Sequence, residues 1–92
     1  MRAFPWFGHW YPGWSDIRFI PVDLIEPIGA HCSRSRIDMY AALLRAHQLV
    51  APVSLIRCAA PPYQFKLEDG SHRLAACLLV GRTMIAARIR ET

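Results

Sequence analysis

The chain reads as an α+β domain, a small mixed sheet with helices packed on it, on three observations. Short apolar or alternating runs are interspersed with two stretches of helical period, Gly and Pro punctuate the joins, and no segment repeats or thins into an internal linker. The predicted order is strand, helix, strand, strand, helix, strand. At 92 residues there is room for one core, and a domain of this size buries only about 60 to 65% of its unfolded surface.

Ile17 to Val22 forms the first strand, with Pro21 confined to its end or to a sheet edge because proline has no N–H for a ladder. Glu26-Pro27-Ile28-Gly29 then breaks the chain. Ser35-Arg36-Ile37-Asp38 has the spacing of a capping box and predicts a helix from Arg36 to Gln48. Ile37, Tyr40, Ala41 and Leu44 share one stripe of it, with Arg36 and Arg45 outside, the pattern of a helix lying on a sheet. Pro52 opens a strand from Val53 to Cys58. Pro61-Pro62 turns the chain into another, Tyr63 to Leu67, whose apolar residues alternate with Gln64 and Lys66, so the two pair antiparallel. After Asp69-Gly70 a helix runs from Ser71 to Val80, with Leu74, Cys77 and Leu78 inward and Gly81 as its left-handed stop. Met84 to Ile89 is the last strand.

Composition limits the partners. Eleven basic residues against seven acids leave a net charge of +4, and ten of the eleven are arginine. Arginine grips phosphate with a planar fork where lysine offers a point charge; GC-rich coding produces the same bias, so charge alone leaves the partner open. Charged residues make up 20%, below the roughly 25% of ordinary soluble domains, which points to self-association. Cys32, Cys58 and Cys77 are odd in number and too widely spaced for a zinc knuckle or a disulfide framework, as expected of a cytoplasmic chain. Nowhere do about 18 apolar residues run together, which argues against a spanning helix, and Pro5, Gly8, His9, Pro12 and Gly13 interrupt what a signal peptide would keep apolar. Residues 1 to 14 hold Phe4, Trp6, Phe7, Trp10, Tyr11 and Trp14, six of the ten aromatics. They are expected to form an arm, distinct from a domain over residues 15 to 92, that covers the core or docks a protein partner or second copy.

Asp69-Gly70-Ser71-His72-Arg73 carries the chemistry. A strand that turns directly into a helix exposes the first backbone N–H groups, which have no intrahelical acceptors. They and the helix dipole attract anions. Gly70 lets a ligand approach the backbone, and Ser71, His72 and Arg73 add a hydroxyl, an imidazole and a guanidinium in the first turn. The same residues also read as a plain helix start, with Asp69 capping and Gly70 turning. Asp69, and less directly Glu68, is placed to hold Mg²⁺ beside a phosphate, and Glu26 to act as a base or metal ligand from the loop after the first strand. His31 and Cys32 would face the pocket together only against the usual divergence of side chains on sequence neighbours, and His9 and His47 read as surface residues.

The run Leu67 to Ala76, followed by Gly81 and the strand to Ile89, resembles the nucleotide-binding segment of the ParB N-terminal domain and sulfiredoxin superfamily. Phe19-Ile20-Pro21-Val22-Asp23-Leu24-Ile25 resembles its first strand, and Leu49-Val50-Ala51-Pro52-Val53-Ser54-Leu55 its helix-to-strand passage, so the resemblance spans Ser15 to Thr92. Sulfiredoxins carry Gly-Cys-His-Arg at the turn, with the cysteine as attacking group in ATP-dependent repair of a sulfinic acid. Ser71 stands there, and a hydroxyl without a strong base does not replace a thiolate, so sulfiredoxin activity is not expected. ParB proteins carry Gly-Glu-Arg-Arg and bind CTP with a metal ion; Ser71 and His72 depart from that pattern. Small-molecule kinases of the superfamily place a catalytic carboxylate after the first strand, near Glu26, and some relatives are nucleases.

The resemblance therefore implies a nucleoside phosphate, ATP or CTP, held with Mg²⁺. Gly70, Ser71, His72 and Arg73 would contact phosphate, Asp69 the metal, and Glu26 and His72 would serve phosphoryl transfer or nucleotide hydrolysis. Two alternatives stand beside it. One is a DNA-binding or nuclease module using Arg34, Arg36, Arg82, Arg88 and Arg90; the other is an adaptor without enzymatic activity that docks through the aromatic arm.

Overall fold

The computed structural model of the chain describes residues 15–27 and 32–90. Strand β1 spans Arg18–Pro21 and runs into a single 3₁₀ turn, Val22–Leu24. Helix α1 spans Arg34–Arg45, β2 Val53–Ala60, β3 Tyr63–Asp69, α2 Ser71–Val80 and β4 Met84–Arg90. The four strands form one sheet in the order β1-β4-β2-β3. β1 with β4 and β2 with β3 are antiparallel, while β2 and β4 are parallel, with Val53 opposite Ala87 and Ile56 opposite Arg90. This is the mixed sheet and element order that the patterning predicts. Pro21 closes β1, an edge strand, where its missing N–H costs no ladder bond.

The core lies between one face of the sheet and the two helices. Val53 and Leu55 of β2 and Ala87 and Ile89 of β4 are almost wholly buried, with Ile20, Phe65 and Ile85 beside them. From above, α1 contributes Ala41 and Leu44, with Ile37 and Tyr40 packed against the cluster, and α2 contributes Leu74, Ala76 and Cys77. The alternate residues Ser54, Ile56, Ala86, Arg88 and Arg90 turn to the other face, which carries no helix among the described residues. No helix among them is long and apolar enough to cross a membrane.

Three expectations are corrected. The first helix starts two residues earlier, with Ser33 as its cap in extended conformation and no side-chain cap bond. Ser35 therefore sits inside the helix, its hydroxyl 3.0 Å from that of Ser33, while Asp38 turns to the Arg34 Nε at 3.0 Å instead of reaching back. The same helix ends at Arg45, because His47 takes a left-handed φ of 57° and Gln48 N–H bonds back to Leu43 O. Leu78, expected inward, is 54% exposed. Since α2 packs on α1 as well as on the sheet, its buried face is rotated toward Ala76, on the side away from Leu78.

Candidate functional site

Strand β3 delivers the chain to Gly70, which is buried and left-handed at φ +111° and caps α2 without a side-chain hydrogen bond. A Cβ at Gly70 would meet the Val53 Cγ1 at 2.6 Å. The helix thus begins pressed onto β2, and only glycine satisfies both the dihedral and the space. The first helical bond is Leu74 N–H to Gly70 O at 2.9 Å. The N–H groups of Ser71, His72 and Arg73 precede it and make up the positive end of the helix.

His72 joins this turn to the other helix. Its Nε2 accepts a hydrogen bond of 3.0 Å from the Ser33 backbone N–H, at the start of α1. An accepting Nε2 places the proton of the neutral ring on Nδ1, which is left as the donor. The start of α1 is thereby tied to the first turn of α2, with Ser33 against His72. The patterning assigns Ser35 to capping and gives Ser33 no role; the Ser-Arg repeat Ser33-Arg34-Ser35-Arg36 is the one local feature that marks this helix start.

Arg73 is placed differently from a freely extended phosphate clamp. Its Nη1 donates to Ala51 O at 3.0 Å and Pro52 O at 2.9 Å, and its Nη2 lies 3.4 Å from Asp69 Oδ2, with the side chain only 15% exposed. It pins α2 to the passage entering β2 and fixes a positive charge beneath the turn. Asp69, with its side chain 77% exposed, stands open at the mouth of the turn. Glu26 is not drawn in by any bond to the turn: its N–H donates to Phe65 O at 2.9 Å after the Ile25 to Phe65 bridge. That register sets it beside Lys66, four positions or about 13 Å ahead of Gly70 along β3. Among the described residues no three His, Cys, Asp or Glu side chains gather as a metal cage. His9 and His31 lie outside the described residues, as does the aromatic arm; His47 is exposed.

The other arginines are dispersed. Arg82 Nη2 donates to Leu44 O at 2.7 Å, tying the start of β4 to the end of α1. Together with Arg73 it lines a pocket of about 180 Å³ whose walls include Phe19, Leu44, Leu49 and Met84. Arg88 and Arg90 lie on the open sheet face. Cys77, buried in the core side of α2, has its thiol pKa raised by desolvation, which the nearby Arg82 charge partly offsets. It stands six residues, about 9 Å, along the helix from Ser71, which marks it as packing.

No protein-family model and no curated protein sequence matches the chain. Solved structures do. Sulfiredoxin from Arabidopsis thaliana superposes with a TM-score of 0.71 at 20% identity, over 85% of this chain and 88% of that one. The C-terminally truncated chromosome-partitioning protein ParB from Caulobacter crescentus, complexed with CTP-gamma-S, superposes with a TM-score of 0.67 at 14% identity, over 85% of this chain and 46% of that one. C-terminally truncated SbnI from Staphylococcus aureus gives 0.61 at 18% identity, over 83% of this chain and 30% of that one. The chain has the ParB/sulfiredoxin-like fold, as the resemblance in its sequence implies. It spans less than half of the ParB and SbnI chains it matches.

Proposed function

We propose that the chain binds a nucleoside phosphate at the joined N-termini of α1 and α2. The observation that carries this reading is the His72 to Ser33 hydrogen bond, which links the start of α1 to the first turn of α2 and so brings two positive helix ends together. Phosphate oxygens take the N–H groups of residues 71 to 73 and the Ser71 hydroxyl, close against the backbone at Gly70. His72 donates from Nδ1. Arg73 neutralises charge from its anchored position, and Arg36, exposed on the first turn of α1, reaches the outer phosphates. The CTP-gamma-S complex of the ParB neighbour supports a nucleotide over a free anion.

Mg²⁺ fits as a partner of the phosphates, since it keeps most of its waters and needs only one or two carboxylates. Asp69 is the carboxylate at the turn, and it would hold the ion against the phosphates and lower their charge. Glu26 and His72 are the groups that would move a proton in phosphoryl transfer or hydrolysis. Ser71 in place of a cysteine leaves sulfiredoxin chemistry outside this reading.

Thermal unfolding with ATP and CTP, with and without Mg²⁺, tests the proposal. A nucleotide present at about ten times its dissociation constant adds about 1.4 kcal/mol, a rise of about 6 to 11 °C for a domain of this size. No rise with either nucleotide, with or without Mg²⁺, rejects it.

A further inference from the structure

We propose that the open face of the sheet, opposite the helices, binds single-stranded nucleic acid. Strand register places its side chains. Lys66, Ile56 and Arg90 stand in one row across β3, β2 and β4, about 5 Å apart. Ser54 and Arg88 are paired in the next row, about 7 Å along the strands. Beyond them Phe19 of β1 pairs with Ala86, and its ring is 69% exposed. Ile17, just before this strand, is 49% exposed.

Lys66 and Arg90 thus flank Ile56, about 10 Å apart, and Arg88 follows Arg90 on β4 toward a bare aromatic ring. Glu68 is paired with Arg90, Nη2 to Oε2 at 3.0 Å, while the Nε atoms of Arg88 and Arg90 are shut off from solvent without a hydrogen-bond partner. The outer Nη groups of Arg88 are the donors an incoming ligand meets. Phosphates bound along Arg88, Arg90 and Lys66 position a strand whose bases turn toward Phe19, and an aromatic side chain on an open sheet stacks bases irrespective of sequence. A duplex keeps its bases paired and stacked, so the ring discriminates in favour of single strands.

Because the α2 turn packs on Val53, on the opposite side of β2 from Ser54 and Ile56, the two sites are tested separately. Fluorescence anisotropy of a labelled single strand of about twelve nucleotides, titrated with the full chain, reads the binding. The expected dependence of log affinity on log salt has a slope of about −2, from about −0.7 for each of three phosphate contacts. Arg88→Ala and Lys66→Ala each make the slope shallower by about 0.7 and leave any thermal response to nucleotide unchanged, and Phe19→Ala weakens strand binding about tenfold. Circular dichroism checks that the variants fold, and Arg88→Lys, which keeps the charge, retains the slope. The proposal is overturned by no binding at low salt, by equal affinity for single strand and duplex, or by binding that these substitutions leave intact. A dimer in light scattering that Phe19→Ala or Arg88→Ala dissociates also overturns it, because a second copy then occupies the face.

Discussion

Gly70 and Val53 are packed so closely that a methyl group cannot be placed between them: a Cβ on Gly70 would lie 2.6 Å from Cγ1 and 2.9 Å from Cβ of Val53. The β-branched residue that fills the core under α2 therefore also dictates how near the helix start comes to the sheet. Gly70→Ala combines left-handed strain with overpacking, and we expect a loss of about 2 to 4 kcal/mol in urea denaturation. Gly81 is the control. It is left-handed at φ +87° with nothing within 4 Å of its Cβ position, so Gly81→Ala should cost only about 1 to 2 kcal/mol. Equal losses at the two glycines would falsify the packing argument.

Arg73 holds two backbone carbonyls, those of Ala51 and Pro52, which belong to the stretch between α1 and β2. Arg73→Ala leaves them without that donor and frees the helix start from the strand entry. A destabilisation of about 2 to 3 kcal/mol is expected from losing charge-assisted bonds at a largely covered side chain. Arg73→Lys recovers only part of it, since an ammonium does not reproduce the guanidinium fork. An alanine variant as stable as the parent in the same denaturation would show that the carbonyls are satisfied by solvent.

The fold was legible wherever local chemistry and packing agree. Gly81 ends α2 where a left-handed residue is cheapest, and Pro21 lies at the end of an edge strand for want of an N–H. The errors come from tertiary contacts. Ser35 has good capping chemistry, yet α1 begins earlier because the chain at Ser33 is held by His72, 39 residues away. Leu78 has the right period for the core, yet packing on α1 rotates the buried face toward Ala76. At the site, Asp69 to Arg73 stood out as a motif. The link from Ser33 to His72 did not, because it is made by α1 packing beside α2, and the anchoring of Arg73 depends on the path of Ala51 and Pro52.

Cys77 supplies a pH prediction. Its side chain is in the core, and burial raises its folded-state pKa above the ordinary thiol value of 9.0. The folded state then holds the proton to higher pH than the unfolded chain does. Stability linked to this group is complete below about pH 9 and is lost as pH rises through the folded value. Cys77→Ala should reduce this alkaline loss, at the cost of a small cavity at all pH values. Urea midpoints of the two proteins between about pH 7 and pH 10 make the comparison; parallel profiles would remove Cys77 as the cause.

Ser71→Glu separates an anion site from a plain helix start. At the first residue of α2 a carboxylate meets the free N–H groups and the positive end of the dipole, which should stabilise the protein without ligand by about 0.3 to 1 kcal/mol. The same carboxylate occupies the space proposed for phosphate and repels it, so any nucleotide-induced rise in melting temperature should disappear. Ser71→Ala, which removes the hydroxyl but leaves the N–H groups open, should retain most of the rise, because the backbone supplies the larger share of the binding. If nucleotide stabilises the glutamate variant as much as the parent, the ligand binds elsewhere and the joined helix ends are only a packing device. If the response is lost in Ser71→Glu and kept in Ser71→Ala, the backbone of the turn is the phosphate holder.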